Sequence, residues 1–233
     1  MLIEVAKKLV NSQLPLVRCR AMEILCAKLQ PNANFFSKEN VKSLEPFMAI
    51  LLKRARKSKE PSDNRQTALF TLHLLTKFMA PQVSNEVVLP VLSAAVDLIC
   101  KDTTETKLVI QALLVVSESV VALKAHAVIH LGQIMPAIIK FWNEDQASDH
   151  LLLATVTATH KLLENVPQFL SPYLEPLVCC VCCLSSRKEN GSVKESRLIM
   201  RLSIVQDTLV KHVEPRVLIP MMMEHRHIRH CLK

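Results

Sequence analysis

Three clusters in the chain carry residue types that do chemistry. The first is Cys179-Cys180-Val181-Cys182-Cys183, with two overlapping C-x-x-C spacings, Cys179/Cys182 and Cys180/Cys183. Thiolates at that spacing ligate zinc, but a zinc site takes four convergent ligands, as a rule two such pairs. No second pair stands elsewhere in the sequence. Neighbouring cysteines on one helix point in different directions, which also makes a poor disulfide framework. The favoured reading is cysteine used as a small apolar residue on a buried helix. The second cluster is His225, His227, His230 and Cys231 near the C-terminus. It is able to bind a transition metal adventitiously, but reads more simply as a frayed basic tail. No cofactor or resident metal is expected from either cluster.

The third cluster is Lys53-Arg54-Ala55-Arg56-Lys57-Ser58-Lys59, five cations in seven residues. Such a run repels itself and stays solvated. Placed at the end of a helix, it also complements the negative end of the dipole. Three uses are open: a solvated loop without a role, a nuclear-localisation-like patch built on Lys53-Arg54-Ala55-Arg56, or a contact to RNA phosphates. Aromatic side chains that would stack on bases are missing nearby, so sequence-specific base reading is not expected. Lys53, Arg54, Arg56, Lys57 and Lys59 are therefore the candidate targeting or RNA-phosphate patch. No Walker loop, dinucleotide loop, H-E-x-x-H or G-x-S-x-G is present, and the carboxylates fall mostly at caps and loops. An enzyme is not expected.

Composition says which elements must position these residues. The chain has 233 residues, half of them hydrophobic, 4% aromatic, with two glycines. It is too apolar for a disordered chain. Two glycines cannot supply the turns of a β-sandwich or the phosphate loops of nucleotide-binding α/β folds. The formal charge of +8 suggests an acidic partner. Its distribution narrows that, because the run Lys53–Lys59 holds five of the eight charges and residues 221–233 two more. What remains is a nearly neutral body. Lys7-Lys8 follow the first residues with no long apolar core, so no secretory leader is expected. The longest stretch free of Lys, Arg, Asp and Glu is Ala125–Ile139, 15 residues, below the span of a bilayer. The expectation is a soluble intracellular chain with reduced thiols and no membrane partner.

An internal repeat sets the architecture. Proline followed by an apolar run recurs at Pro46, Pro90, Pro136, Pro176 and Pro220, at spacings of 44, 46, 40 and 44. Polar clusters alternate with it and open new apolar helices: Ser62-Asp63-Asn64-Arg65, Thr103 to Lys107, Ser148-Asp149-His150 and Ser192 to Glu195. Each offers an N-cap oxygen to the orphan amides of a first turn. Behind the caps the periodicity is helical, as at Val17, Ala21, Ile24 and Leu25. The segment Leu108–Val116 is apolar nearly all round, as a helix covered on both sides must be. Two helices in about 45 residues, the first bent by proline, are the signature of HEAT-type repeats. The expected fold is all-α, a HEAT-type α-solenoid with armadillo-like helical repeats. Five helix pairs are expected at roughly 2–30, 38–80, 84–123, 125–166 and 168–213, with a partial sixth from Val217. Residues 1–220 form the array and 221–233 the tail. Neither end carries the polar face that caps a solenoid, so the chain reads as a segment of a longer array whose end faces associate.

The repeats carry a more specific resemblance. Leu16-Val17-Arg18-Cys19-Arg20-Ala21-Met22-Glu23-Ile24-Leu25 resembles a V-R-x-K-A-L-x-L-L helix of the HEAT repeat-containing protein 1 family. Asn64-Arg65-Gln66-Thr67-Ala68-Leu69 is similar to its next repeat. Ser148 through Leu177, with Pro167-Gln168-Phe169-Leu170-Ser171-Pro172-Tyr173-Leu174, resembles the start of that family's C-terminal signature domain. The resemblance runs from about Pro15 to Pro220, and the His-rich tail does not continue it. It implies a nucleolar scaffold of the small-subunit processome, associated with the U-three small nucleolar ribonucleoprotein. Such a scaffold acts in pre-rRNA processing toward 18S rRNA, with a link to RNA polymerase I transcription. The implied partners are processome and snoRNP proteins, with indirect or backbone-only RNA contact, and no small-molecule substrate. The family offers no catalytic residues. The alternative is a transport or adaptor repeat protein that binds peptide or protein cargo.

Overall fold

The computed structural model describes residues 2–29, 38–79, 82–101, 105–144, 147–189 and 196–231. These are almost entirely helical, with no strand among the described residues. They fall into two compact units, Met1–His130 and Leu131–Lys233.

The first unit holds α1 (Leu2–Val10), α2 (Pro15–Leu29), α3 (Lys38–Arg56), α4 (Ser62–Met79), α5 (Asn85–Cys100) and α6 (Thr106–Leu123), closed by a 3₁₀ segment, Lys124–His130. Helices pair as α1 with α2, α3 with α4 and α5 with α6. Like helices also stack: α1 on α3 and α3 on α5 in one layer, α2 on α4 and α4 on α6 in the other. The odd-layer helix α3 buries a single stripe. It is Val41, Leu44, Phe47, Met48, Leu51 and Ala55, an i, i+3, i+7 pattern facing one way. The even-layer helix α6 is covered on more sides and buries Leu108, Val109, Leu113, Val115, Val116 and Val120. Within α4 and α6 the buried hydroxyls of Thr71 and Ser117 donate to the carbonyls of Thr67 and Leu113, at 2.7 and 2.8 Å. That satisfies groups the core would otherwise strand.

The second unit repeats the plan with α7 (Leu131–Trp142), α8 (Asp149–Asn165), α9 (Leu174–Glu189), α10 (Ser196–His212) and α11 (Pro215–Cys231). Here α7 packs on α8 and α9, α8 on α10, and α9 on α10 and α11. Two short 3₁₀ turns, Pro167–Phe169 and Ser171–Tyr173, stand before α9. The Trp142 indole Nε1–H donates to Thr159 Oγ1 at 3.0 Å, and that hydroxyl donates on to the Thr155 carbonyl at 2.9 Å.

The helix pairs lie where the repeat placed them, but several details differ. Pro46, Pro90, Pro136 and Pro220 sit inside helices. Pro176 is the third residue of α9, in a first turn whose amide has no intrahelical acceptor, so it bends nothing. Of the expected caps, Ser148 performs the role, its Oγ accepting from the Leu151 amide at 3.3 Å. Ser62 is instead the first residue of α4, and its hydroxyl donates to the Glu105 carboxylate. Thr103, Thr104 and residues 192–195 lie outside the described residues. The segment expected as a frayed tail is helical as far as Cys231: α11 crosses Pro220 and runs from Pro215 to Cys231. The helical run Thr106–Trp142 is long and apolar enough to cross a membrane by length and composition. Lys107, Glu118, Lys124 and Lys140 interrupt it, so it contains no charge-free stretch of bilayer length. Its α6 portion packs against α4 and α5, which accounts for the hydrophobicity as core.

Candidate interaction surface at the end of α3

The basic run begins in the last turn of α3 and continues through the turn into α4. Lys53, Arg54 and Arg56 are in that last turn, and Lys57 and Lys59 follow in the connection. The structure divides the five cations. Lys53, Lys57 and Lys59 are exposed. Arg56 Nη2 reaches Asp97 Oδ2 of α5 at 3.6 Å. The Arg54 side chain is 17% exposed and points inward, with Nη1 3.6 Å from Glu60 Oε2 and Nη2 donating to Asn11 Oδ1 at 3.2 Å. The expectation of a solvated run therefore fails for Arg54, while Arg56 stays exposed beside Asp97. The buried Glu60 carboxylate draws Arg54 into the protein.

Glu60 is the centre of that inward network and was not singled out by sequence reasoning. Its side chain is 1% exposed, beside Arg18 at 8%. Arg18 Nε and Nη2 both approach Glu60 Oε1 at 2.6 Å, while Nη1 donates to the carbonyls of Ser12 and Gln13 at 2.8 and 2.9 Å. Asn64 Nδ2 completes the site, 2.8 Å from Glu60 Oε1 and 2.9 Å from the Pro15 carbonyl. Burial pushes the Glu60 carboxyl up. The hydrogen bonds from Asn64 and Arg18 and the charges of Arg18 and Arg54 outweigh it, leaving Glu60 below the ordinary carboxylate value. The turn carrying Lys57 and Lys59 is thus anchored at its far end to α2 and α4.

The same arrangement recurs one helix pair later. Arg65 is the fourth residue of α4, as Arg18 is of α2. Its Nη1 lies 3.6 Å from Glu105 Oε1, and its Nε donates to the Ala55 carbonyl at 3.1 Å. Each glutamate stands just before the next even helix. The signal available in the sequence was an arginine three residues ahead of Ala21 or Ala68, with a glutamate about 40 residues on. It is short enough to pass unnoticed among 29 basic and 21 acidic residues.

The cysteine cluster lies on α9. Cys180 is buried, and Cys179, Cys182 and Cys183 are half-buried. Burial pushes the Cys180 thiol up to about 12, with Cys179 and Cys183 adding to the shift, the opposite of what a thiolate ligand or nucleophile needs. Its Sγ faces Asn143 Oδ1 at 3.7 Å. Among the described residues no group of three His, Cys, Asp or Glu side chains could hold a metal ion. The imidazoles of the C-terminal cluster lie outside the described side chains.

Helix pairs stacked in two layers define a helical-repeat protein of the HEAT and armadillo kind. Two solved structures share this fold. An engineered protein superposes with a TM-score of 0.71 over 97% of this chain and 86% of its own, at 13% identity. A designed armadillo repeat protein does so with a TM-score of 0.68 over 97% and 88%, also at 13% identity. No protein-family model matches the chain. Curated sequences do. The chain is 35% identical over 227 residues to HEAT repeat-containing protein 1 of Homo sapiens and 35% identical over 232 residues to that of Danio rerio. It is 26% identical over 238 residues to the Drosophila melanogaster homolog. Each alignment covers 94% of the chain. By sequence the chain belongs to the HEAT repeat-containing protein 1 family. It spans 10% of the length of the Homo sapiens and Danio rerio relatives and 24% of the Macaca fascicularis one.

Proposed function

We propose that this chain is a non-catalytic scaffold segment acting in the nucleolus within the small-subunit processome. It would contribute to pre-rRNA processing toward 18S rRNA, with a link to RNA polymerase I transcription. The observation that carries the reading is the alignment to HEAT repeat-containing protein 1 over 94% of the chain. Stacked helix pairs suit a scaffold because each layer presents a long row of side chains while the core stays continuous. Partners are processome and snoRNP proteins. Lys53, Lys57 and Lys59 serve as a nuclear-targeting or RNA-phosphate contact, since a mobile aliphatic stem with an unpaired charge supports phosphate attraction without base reading.

Affinity purification of the tagged chain from nuclear extract, with and without RNase, tests this reading together with imaging. The expected result is nucleolar signal and recovery of processome proteins that survives RNase. A diffuse cytoplasmic signal with none of those proteins overturns it. A second reading, an adaptor for peptide cargo, is favoured by a groove of about 740 Å³ on α2, α4 and α6, lined by Arg20, Glu23, Gln66, Phe70 and Gln111. The Gln111 Oε1 atom is buried there without a hydrogen-bond partner.

A further inference from the structure

The seam between α3 and α5 is closed at one end and open at the other. At the closed end, Arg56 of α3 meets Asp97 of α5. Eleven residues earlier on each helix stand Glu45 and Glu86. Eleven residues are about three helical turns, roughly 16 Å along the axis, and return to nearly the same face. At that level the seam opens into a cavity of about 360 Å³, lined by Glu45, Pro46, Leu52, Glu86, Val87 and Pro90 among others. Where the closed end carries one cation and one anion, the open end carries two anions. Neither Glu45 nor Glu86 has an ion pair among the described residues.

The polar chemistry of this groove is all of one kind. Pro46 and Pro90, which line it, supply no amide proton. The two carboxylates accept hydrogen bonds and do not donate. The remaining lining is aliphatic. An acceptor-only groove with apolar walls and two like charges fits a long aliphatic stem that ends in a cation. Arginine answers it best, because its guanidinium can match carboxylates in a fork, and the same seam already sets Arg56 3.6 Å from Asp97.

We propose that the Glu45–Glu86 groove of the odd-helix layer docks an arginine-bearing apolar segment of a partner protein. The occupant completes at this level the cation–carboxylate bridge that Arg56 and Asp97 make three turns away. The proposal depends on the scaffold reading only in needing a protein partner. It holds whichever compartment the chain occupies, so its failure and a failure of nucleolar targeting are separate results.

The test is fluorescence anisotropy with the full chain and a labelled peptide, acetyl-Leu-Arg-Ala-Leu-Arg-Ala-Leu-amide. The matched control has glutamate in place of both arginines. The parent chain should bind the arginine peptide in a salt-dependent way and leave the glutamate peptide free. Glu45→Gln with Glu86→Gln should weaken binding at least 5-fold with an unchanged helical circular dichroism spectrum. Glu175→Gln with Asp207→Asn, which removes two exposed carboxylates outside either groove, should leave the affinity unchanged. The proposal is overturned by no binding to the parent, by equal binding of the two peptides, or by equal weakening in the two double variants.

Discussion

Arg18 and Glu60 form an ion pair across 42 residues of chain, and both side chains are buried. The arginine belongs to α2 and the glutamate to the turn that carries the exposed lysines into α4. One contact thereby fixes how the first two helix pairs meet and where the basic turn is held. A buried pair of this sort adds little over a well-packed apolar pair, but breaking one partner is costly because the other charge stays buried.

Glu60→Leu should therefore destabilise the chain by about 3 kcal/mol, read as a lower urea midpoint at unchanged slope. Arg18→Met combined with Glu60→Leu should recover part of that loss. A single variant within about 0.5 kcal/mol of the parent, the range of ordinary surface changes, would show that the pair does not secure the first unit.

Acid should reach the same site. Glu60 is held below the ordinary carboxylate value of 4.5 in the folded chain. Its contribution is thus fully present above the unfolded value and disappears as pH falls through the lower folded one. Stability measured by urea titration should decline on that acid limb, and Glu60→Gln should flatten the limb. An acid limb of the same steepness in the variant would assign the decline to other carboxylates.

The five cations of the basic run should separate into two behaviours. Changing Lys53, Lys57 and Lys59 together to glutamine should leave the melting transition within about 0.5 kcal/mol of the parent while lowering nuclear retention or RNA crosslinking. Arg54→Gln should lower stability, because it strips a partner from Glu60 and Asn11. Normal retention and crosslinking in the triple lysine variant would remove the functional role of the turn.

Trp142 offers a spectroscopic handle on the second unit, being the single tryptophan of the chain. Thr159→Val removes the acceptor of its buried indole N–H and should cost about 1–3 kcal/mol, followed as an earlier loss of Trp142 fluorescence in denaturant. Ser148→Ala should cost about 1 kcal/mol by uncapping α8. A Ser62→Ala change removes no cap, since that hydroxyl donates to Glu105. Equal losses from the two serine variants would contradict the assignment of their roles.

The architecture of this protein was legible in the sequence because it is written in short-range chemistry. Proline near the same place in successive odd helices, polar clusters before even helices, and apolar residues at i, i+3 and i+7 act within one or two turns. They fixed the helix pairs and their order. Family membership was legible too, in the order of the Arg18 and Arg65 helices and the Pro167–Leu174 stretch. Tertiary structure decided what depends on partners some 40 residues away. It drew Arg54 inward and left Lys53, Arg56, Lys57 and Lys59 outside, a split invisible in a run of similar cations. It made Ser62 a ligand of Glu105 rather than a cap, carried α11 past Pro220, and set Glu45 beside Glu86 across one seam. Helical periodicity tells each side chain which face it occupies. Only the stacking of neighbouring pairs decides whether a counter-charge waits on that face, and charges far apart in sequence but adjacent in space leave no local trace.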